Sequence, residues 1–223
     1  MINNKKTMNF LSIDCSTDVG SLFLKVKNKS FSKFLQYSKY SNDLLMKQIL
    51  LFLSENNYSL ASVDEVHINQ GPGNFSGLRG SISTSKGICL AKNIDLFGYN
   101  TFLLACVKFY KSKQPIYSLI KIKENYFIQK FNKKLTHIFK PKPVKIENII
   151  KDYNNEIKVL DKRYVKFFDN DILKCKNLHI LNLDYSELEL LKKNNLLQKN
   201  VVSPIYLWWS IFWLIVKMLI LYF

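Results

Sequence analysis

The segment from Gly71 to Gly80 constrains the fold of this chain of 223 residues more than any other, because it places four glycines within ten residues. Gly71 and Gly73 flank a proline, so the backbone is free to adopt positive φ on either side of a residue whose φ is fixed. This combination is typical of a tight turn. Ser76 is the candidate N-cap of a helix that we expect to run to about residue 92.

Two roles suit such a turn. The free amides of a helix start bind anions, and residues without a side chain allow another backbone or a ligand to approach closely. The glycine spacing matches neither the G-x-G-x-x-G fingerprint nor the P-loop, which ends in G-K-[ST], so the nucleotide folds that carry those motifs are disfavoured. On this segment alone, a structural turn that packs a helix against a strand is favoured over a phosphate site.

A second group of polar residues follows the first predicted strand. The sequence predicts a meander of three strands at residues 11–13, 22–26 and 31–35. Asp14, Ser16 and Thr17 come directly after the first of these strands, where a carboxylate and two hydroxyls are suited to a hydrated metal or a nucleotide phosphate. The same residue types also cap turns, so a purely structural role is the alternative.

The first predicted helix, at residues 41–53, is apolar on more than one face. Ser41 is its candidate cap and Asp43 lies in its first turn. A single core-facing stripe does not require all eight apolar residues of this helix: Leu44, Leu45, Met46, Ile49, Leu50, Leu51, Phe52 and Leu53. We therefore expect part of its surface to pack on another chain or helix.

The rest of the chain reads as further α/β structure. Two more strands of the first half are expected at residues 66–69, directly before the glycine segment, and 96–99. The second half predicts a smaller α/β lobe with strands at 116–123, 126–131 and 178–181 and a helix at 186–197. Pro141 and Pro143 mark a loop between its parts.

Histidine and cysteine give no sign of a metal site. His67, His137 and His179 lie far apart, without acidic residues at ligand spacing, so no metal is expected. The four cysteines form no C-x-x-C pair, and the N-terminus does not look like a signal peptide. Reduced thiols and a cytoplasmic location are the natural inference.

The net charge is strongly positive and uneven. The formal charge is +16, with 11 basic and 7 acidic residues in positions 1–100 and 22 basic and 10 acidic residues in positions 101–223. A basic second half suits a complex that handles tRNA, because phosphate neutralisation supplies most non-specific affinity. The Asn-, Lys- and Ile-rich runs also match the amino-acid bias of an AT-rich genome, and this explanation is favoured here.

Residues 205–223 form an almost wholly apolar tail that is interrupted by Ser210 and Lys217. Its length meets the criterion for a membrane-spanning helix, and its tryptophans and tyrosines stand where interfacial anchors do. An artefactual or lineage-specific extension is favoured over a working anchor, so membrane association is not expected but stays open.

Five stretches of sequence together resemble a known family, the TsaB (YeaZ-like) bacterial tRNA threonylcarbamoyladenosine biosynthesis proteins. Residues 13–17 stand where the family has I-D-T-S-T, and residues 40–45 where it often has H-S-E-x-L-L. Residues 71–79 stand where it has G-P-G-S-F-T-G-L-R, and residues 85–87 where it has A-K-G. Residues 204–207 look like the P-x-Y-L-R that closes many members, with Trp208 in place of the arginine. One departure is Ser81, where the family has its next glycine.

The resemblance implies an α/β fold of the actin-like ATPase (ribonuclease H-like) type, with two related lobes of which the second is reduced. The domains expected are an N-terminal lobe at 8–107, a smaller C-terminal lobe at 108–204 and the apolar tail at 205–223. The predicted meander followed by a helix is how one half of such a fold begins.

The resemblance also implies a non-catalytic scaffold rather than an enzyme. Such a subunit activates TsaD, which installs threonylcarbamoyl on the tRNA adenosine beside the anticodon, and TsaE joins the pair. ATP or ADP is expected, if anywhere, at the interface of the complex rather than bound stably to this chain. A homodimer of the chain alone is left open beside the heterodimer.

The expected contact with TsaD involves the first helix and the glycine segment: Asp43, Leu44, Leu45, Ile49, Phe52, Gly71, Gly73, Phe75, Gly77 and Arg79. The alternative is a stand-alone actin-fold ATPase or kinase in which Asp14, Ser16, Thr17 and the loop amides hold nucleotide and metal. That alternative needs a second phosphate loop, and the sequence has no glycine after Gly98.

Overall fold

The computed structural model describes residues 8–36 and 44–207, which divide into two compact units. Among these described residues, the first unit comprises those up to Thr101 together with Tyr185–Ile205. The second comprises Phe102–Asp184 together with Tyr206 and Leu207. Each unit has its own β-sheet.

The described residues form eleven strands, six α-helices and four 3-10 helices. The strands are β1 (Phe10–Asp14), β2 (Val19–Val26), β3 (Lys29–Gln36), β4 (Glu65–Asn69), β5 (Asp95–Tyr99), β6 (Ile116–Ile122), β7 (Asn125–Phe131), β8 (Lys142–Val144), β9 (Ile157–Asp161), β10 (Leu178–Leu181) and β11 (Gln198–Lys199). The α-helices are α1 (Leu45–Glu55), α2 (Phe75–Lys92), α3 (Thr101–Cys106), α4 (Ile146–Lys151), α5 (Asn170–Leu173) and α6 (Leu188–Lys193). The 3-10 helices are Leu60–Ser62, Val107–Phe109, Lys162–Phe167 and Tyr185–Glu187.

The sheet of the first unit has six strands in the order β11-β5-β4-β1-β2-β3. β1, β2 and β3 form an antiparallel meander, and β4 and β5 continue the sheet in parallel with β1. These strands confirm the meander and the two further strands that the sequence predicts. The helix after the glycine segment is also confirmed and ends at Lys92, where Asn93 adopts the left-handed conformation that stops a helix.

The two faces of this sheet differ in chemistry. One face packs its alternating apolar residues, such as Leu11 and Ile13, against Ile49 of α1 and Ile82 of α2, which builds the main core. The opposite face carries a row of buried polar groups, among them Asp14. The first sheet therefore buries one apolar face and one mixed face, on which polar groups lie beside aromatic rings such as that of Phe10.

The segment 185–205 belongs to the first unit, which corrects the expected boundary of the C-terminal lobe at residue 204. β11 pairs with β5, and the amide of Ile205 donates to Gln70 at 2.7 Å, so this segment adds an edge to the first sheet. The helix expected at 186–197 is also shorter. A 3-10 turn precedes α6, and α6 ends before Asn195, whose φ is +56°.

The sheet of the second unit has five strands in the order β10-β9-β6-β7-β8. β6, β7 and β8 are antiparallel, and β9 and β10 run parallel to β6. This is the strand order of the first sheet without β11, with shorter strands at both edges, so the expectation of two related lobes of an actin-like fold is confirmed.

Sequence reasoning missed β8 and β9. β8 includes Pro143, which stands in the predicted loop, and the structure tolerates it because β8 is an edge strand with one unpaired side. β9 contains Lys158, which breaks the apolar pattern expected of a buried strand. Its ammonium is nevertheless buried, because it donates to three carbonyl oxygens, those of Tyr153, Asn154 and Glu156, at 2.5–3.2 Å.

The described helices include none that is long and apolar enough to cross a membrane. Most of the apolar tail, from Trp208, lies outside the described residues, as do Ser41 and Asp43.

Candidate functional site at the ends of strands β1 and β4

Asp14 is the centre of the polar cluster at the carboxyl end of β1. Its side chain is fully buried, and its Oδ1 accepts hydrogen bonds from the backbone amide of Ser16 at 2.9 Å and from the Ser16 hydroxyl at 2.7 Å. This local turn fixes the chain direction after β1. Asp14 and Ser16, which the sequence singled out, are therefore in direct contact.

The second oxygen of Asp14 is bound by side chains distant in sequence. Oδ2 accepts from Asn69 Nδ2 at 3.0 Å and from the hydroxyl of Tyr185 at 2.8 Å. The hydroxyl of Ser21 lies 2.6 Å from the Tyr185 oxygen and donates to it, because the Tyr185 proton is directed at the carboxylate. Four donors thus engage the carboxylate, which is about what its lone pairs accept.

Asn69, the last residue of β4, links Asp14 to the glycine segment. Its Oδ1 accepts from the amide of Gly71 at 2.8 Å and from the hydroxyl of Thr101 at 3.2 Å. The amide of Thr101 in turn donates to the carbonyl of Gly71 at 2.9 Å. Sequence reasoning missed Asn69, although a polar residue closing an apolar strand was a usable signal.

Thr17 does not join this cluster through its hydroxyl, which donates to the carbonyl of Val19 at 2.8 Å and starts the β1–β2 hairpin. The three candidate nucleotide residues therefore serve two different turns. In this arrangement both oxygens of Asp14 accept hydrogen bonds from the protein itself, from Ser16, Asn69 and Tyr185. Among the described residues, no group of three or more His, Cys, Asp or Glu is placed to hold a metal ion.

The glycines of the 71–80 segment face their own chain. A Cβ at Gly73 would lie 2.0 Å from the carbonyl oxygen of Ser16, and one at Gly77 would lie 2.3 Å from that of Cys15. Gly71 has a φ of +93°, which favours glycine. These three glycines therefore allow the start of α2 to press against the loop after β1, while the expected contact of the segment with a partner stays a prediction.

The cap of α2 is Asn74 rather than Ser76. Asn74 has extended backbone angles, its Oδ1 accepts from the amide of Gly77 at 3.0 Å, and its own amide donates to Ser16 at 2.7 Å. Ser76 lies inside the helix. The amide of Gly77, which the sequence offered as part of an anion site, is bound by this cap.

The expected partner residues of α1 divide by burial. Leu45, Ile49 and Phe52 are no more than 1% exposed and belong to the core, so their assignment to a partner surface is corrected. Leu44 at the start of α1 and Phe75 at the start of α2 are 48% and 54% exposed. The guanidinium of Arg79 lies 4.9 Å from the centre of the Phe75 ring, which makes a cation–π pair on the surface.

Other exposed apolar residues of these helices were not predicted individually. Leu50 and Leu51 of α1 are 46% and 48% exposed, and Leu90 of α2 is 87% exposed. The excess of apolar residues in the first helix was the correct signal, but periodicity alone did not tell which of them face outward.

A second buried polar cluster joins β4 to α6. Glu65 accepts from His67 Nε2 at 2.9 Å and also bonds to the ammonium of Lys192. Burial raises the pKa of Glu65, but the hydrogen bonds from His67 and Lys192 outweigh burial and hold it below its ordinary value. Burial lowers the pKa of His67, whose ring stacks on Phe10 with centroids 4.4 Å apart and whose Nδ1 has no hydrogen-bond partner among the described residues.

The two sheets have matching strand order, and the polar cluster at the end of β1 is hydrogen-bonded by the protein's own groups. These features define an α/β protein of actin-like fold. The chain belongs to the family described as TsaD: tRNA N6-adenosine threonylcarbamoyltransferase, whose model matches residues 36–181. A curated relative, the tRNA threonylcarbamoyladenosine biosynthesis protein TsaB of Buchnera aphidicola subsp. Baizongia pistaciae (strain Bp), is 30% identical over 84 residues. That match spans 38% of this chain and 38% of the relative.

Two solved structures share the fold over 90% of this chain and all of their own length, each at 15% identity. They are YeaZ from Pseudomonas aeruginosa, with a TM-score of 0.67, and a protein from the same organism with similarity to peptidase YEAZ, with a TM-score of 0.69. Together these comparisons confirm the YeaZ-like, TsaB-type resemblance seen in the sequence.

We expect Gly77→Ala and Gly87→Ala to change stability in opposite directions. Alanine at Gly77 forces the backbone of α2 away from Cys15, which should lower the free energy of unfolding by about 1–3 kcal/mol. Gly87 is the matched control in the same helix, because a Cβ there meets nothing within 4 Å. Its replacement should raise the free energy of unfolding by about 0.5–1 kcal/mol in urea titrations. Equal effects would mean that Gly77 does not serve close packing.

Tyr185→Phe should destabilise the protein more than Tyr99→Phe. The first change removes a hydroxyl that donates to a carboxylate, and such bonds contribute about 1.5–3 kcal/mol. Tyr99 contacts the neutral hydroxyl of Ser12 at 3.1 Å, and such a bond contributes about 0.5–1.5 kcal/mol. Urea unfolding of the two variants measures the difference, and a smaller loss for Tyr185→Phe would show that Asp14 does not depend on this bond.

The free energy of unfolding should decrease as the pH falls from 7 to 5. The unfolded chain binds a proton on His67 below its ordinary pKa of 6.5, whereas the folded protein, in which burial lowers that pKa, binds it less readily. The slope should approach about 1.4 kcal/mol per pH unit at most. His67→Gln should flatten the profile, and the same change at exposed His137 should leave it as in the wild type. An unchanged profile in His67→Gln would assign the pH dependence elsewhere.

Proposed function

We propose that this chain is a non-catalytic subunit of tRNA threonylcarbamoyladenosine biosynthesis that binds and activates TsaD. Family membership and the TsaB relative support the pathway. The observation that best supports the non-catalytic role is the hydrogen bonding of the Asp14 carboxylate. Four hydrogen bonds from Ser16, Asn69 and Tyr185 occupy the carboxylate, at the strand end where an ATPase of this fold would need free ligands.

The stand-alone ATPase or kinase is not favoured by the same geometry. It needs Asp14 to turn towards a nucleotide or its metal, which would remove the carboxylate oxygen that accepts from the buried side chains of Asn69 and Tyr185. Removing a partner from a buried polar group costs about 1–3 kcal/mol, and more when the partner is charged. We therefore propose that any nucleotide of the complex binds at an interface with TsaD rather than at Asp14.

The proposed contact with TsaD is a surface of α1 and α2, defined by Leu44, Leu50, Leu51, Phe75 and Leu90. The two helices pack side by side on the first sheet. Burying the outer half of each leucine would contribute about 1 kcal/mol. Smaller outward-facing residues of α2, Ser76, Ser83 and Gly87, would let helices of TsaD approach closely. TsaE would join this pair, and the same surface would support a homodimer when TsaD is absent.

Leu51→Glu should abolish co-purification with TsaD without unfolding the chain, because Leu51 is half-exposed in the free protein. Phe34→Glu is the matched control: Phe34 is 73% exposed on β3 and stands opposite Ser21, on the face of the sheet that α1 and α2 do not cover. Pull-down with TsaD and far-UV circular dichroism measure the two effects. Loss of binding in both variants, or in neither, would contradict the proposed surface.

The activity itself is tested by adding TsaD and TsaE to an unmodified tRNA with and without this chain. Threonylcarbamoylation should require the chain and should fall with Leu51→Glu in parallel with binding. Modification that proceeds equally well without the chain would overturn the proposed function. Variants of Leu45 and Ile49 are unsuited to this test, since their side chains hold the core together.

A further inference from the structure

The charge of the second unit is confined to one part of it. Residues 102–146 contain eleven lysines and a single carboxylate, Glu124, whereas residues 147–184 contain seven basic and seven acidic residues. A general bias towards lysine would not remove acidic residues from one half of a unit and retain them in the other. The segregation therefore argues for a positive surface with a purpose of its own.

Backbone contacts gather these lysines into one continuous surface. The amide of Lys111 donates to the carbonyl of Lys133 at 2.7 Å, which joins the loop after α3 to the turn after β7. The amide of Ile138 donates to Lys130 at 2.8 Å, and β8 then pairs with β7 so that Lys142 stands opposite Ile128. We call this the basic surface: loop 108–113, turn 132–137 and residues 138–142.

The lysines of the basic surface are available to a ligand. Lys108, Lys111, Lys113, Lys133, Lys134, Lys140 and Lys142 are all exposed. None of these seven lysines is paired with a carboxylate among the described residues, whereas Asp169 and Asp161 of the same unit pair with Lys121 and Arg163. The turn that presents Lys133 and Lys134 is held by the Asn132 side chain, which accepts hydrogen bonds from the amides of Lys134 and Thr136 at 2.8 and 3.1 Å.

Aromatic rings lie among the lysines. Lys142 Nζ is 4.7 Å from the ring centre of Phe139, and Lys111 Nζ is 5.7 Å from that of Tyr110. Lysine ammoniums neutralise phosphates, and partly exposed rings offer stacking faces to bases. An anionic membrane fits less well, since the surface consists of loops and an edge strand rather than an amphipathic helix.

We propose that the basic surface binds the phosphate backbone of RNA, so that this subunit itself contributes to holding the tRNA. The identification of that RNA as tRNA rests on the proposed function, whereas the affinity of the basic surface for an RNA backbone does not. Binding is of the positioning kind, in which each lysine neutralises a phosphate and no base is read.

The test uses the full chain, an in-vitro transcribed tRNA and fluorescence anisotropy over a series of salt concentrations. Neutralising Lys133 and Lys134 together with glutamine should weaken binding about 10-fold or more at moderate salt. It should also reduce the slope of log K against log salt by about two, one for each lysine. Lys174→Gln with Lys176→Gln is the matched control, because both residues are exposed in the charge-balanced part of the same unit. Equal losses in the two double variants, or none in either, would overturn the proposal.

Two further measurements separate this proposal from its competitors. Flotation with vesicles of phosphatidylcholine and phosphatidylserine should not depend on Lys133 and Lys134, and a dependence there without one for tRNA would assign the surface to a membrane instead. The lysine variant should retain TsaD in pull-down. If the wild-type chain binds tRNA through these lysines but does not bind TsaD, the proposed function fails and the proposed RNA surface stands. If the chain binds TsaD but its binding of tRNA does not depend on these lysines, the RNA surface fails and the proposed function stands.

Discussion

The buried carboxylate of Asp14 is the interaction on which the first unit depends. An uncompensated charge in a protein interior costs several kcal/mol, so a fully buried Asp14 has to be supplied with donors. The donors come from three places in the chain: Ser16 beside it, Asn69 at the end of β4, and Tyr185. The hydrogen bonds that the buried Asp14 carboxylate needs therefore fix the turn into α2 and the return of the chain to the first unit.

The segment 185–193 also supplies the partner of a second buried charge, Glu65, on the same face of the sheet. Lys192 of α6 pairs with Glu65, which also accepts from His67, while the opposite face of the sheet is closed by the apolar sides of α1 and α2. Buried polar networks tolerate few arrangements, because each unsatisfied group is costly. The polar face therefore specifies where the segment 185–193 must lie, and the apolar face supplies most of the burial.

Features set by neighbouring residues could be predicted from the sequence, and features set by distant ones could not. The meander, β4 and α2 follow from alternation, periodicity and the glycine turn, all of which act within a few residues. Asp14 at a strand end was foreseen, but its partner Tyr185 was not, because 171 positions separate them. The sequence does not distinguish Leu45 from Leu51. Packing against the sheet buries Leu45 in the core and leaves Leu51 on the surface.

The two units also show how one topology comes to carry different surfaces. Both sheets repeat the same strand order, so the difference between them lies in the covering elements and the loops. In the first unit, exposed leucines on α1 and α2 offer apolar area, which suits a protein partner. In the second, the stretch that forms β6, β7 and β8 has a single acidic residue, Glu124, among its lysines, which suits a polyanion. Because strand order is shared, we expect the distribution of exposed leucines and of acidic residues to be what distinguishes the two halves in function.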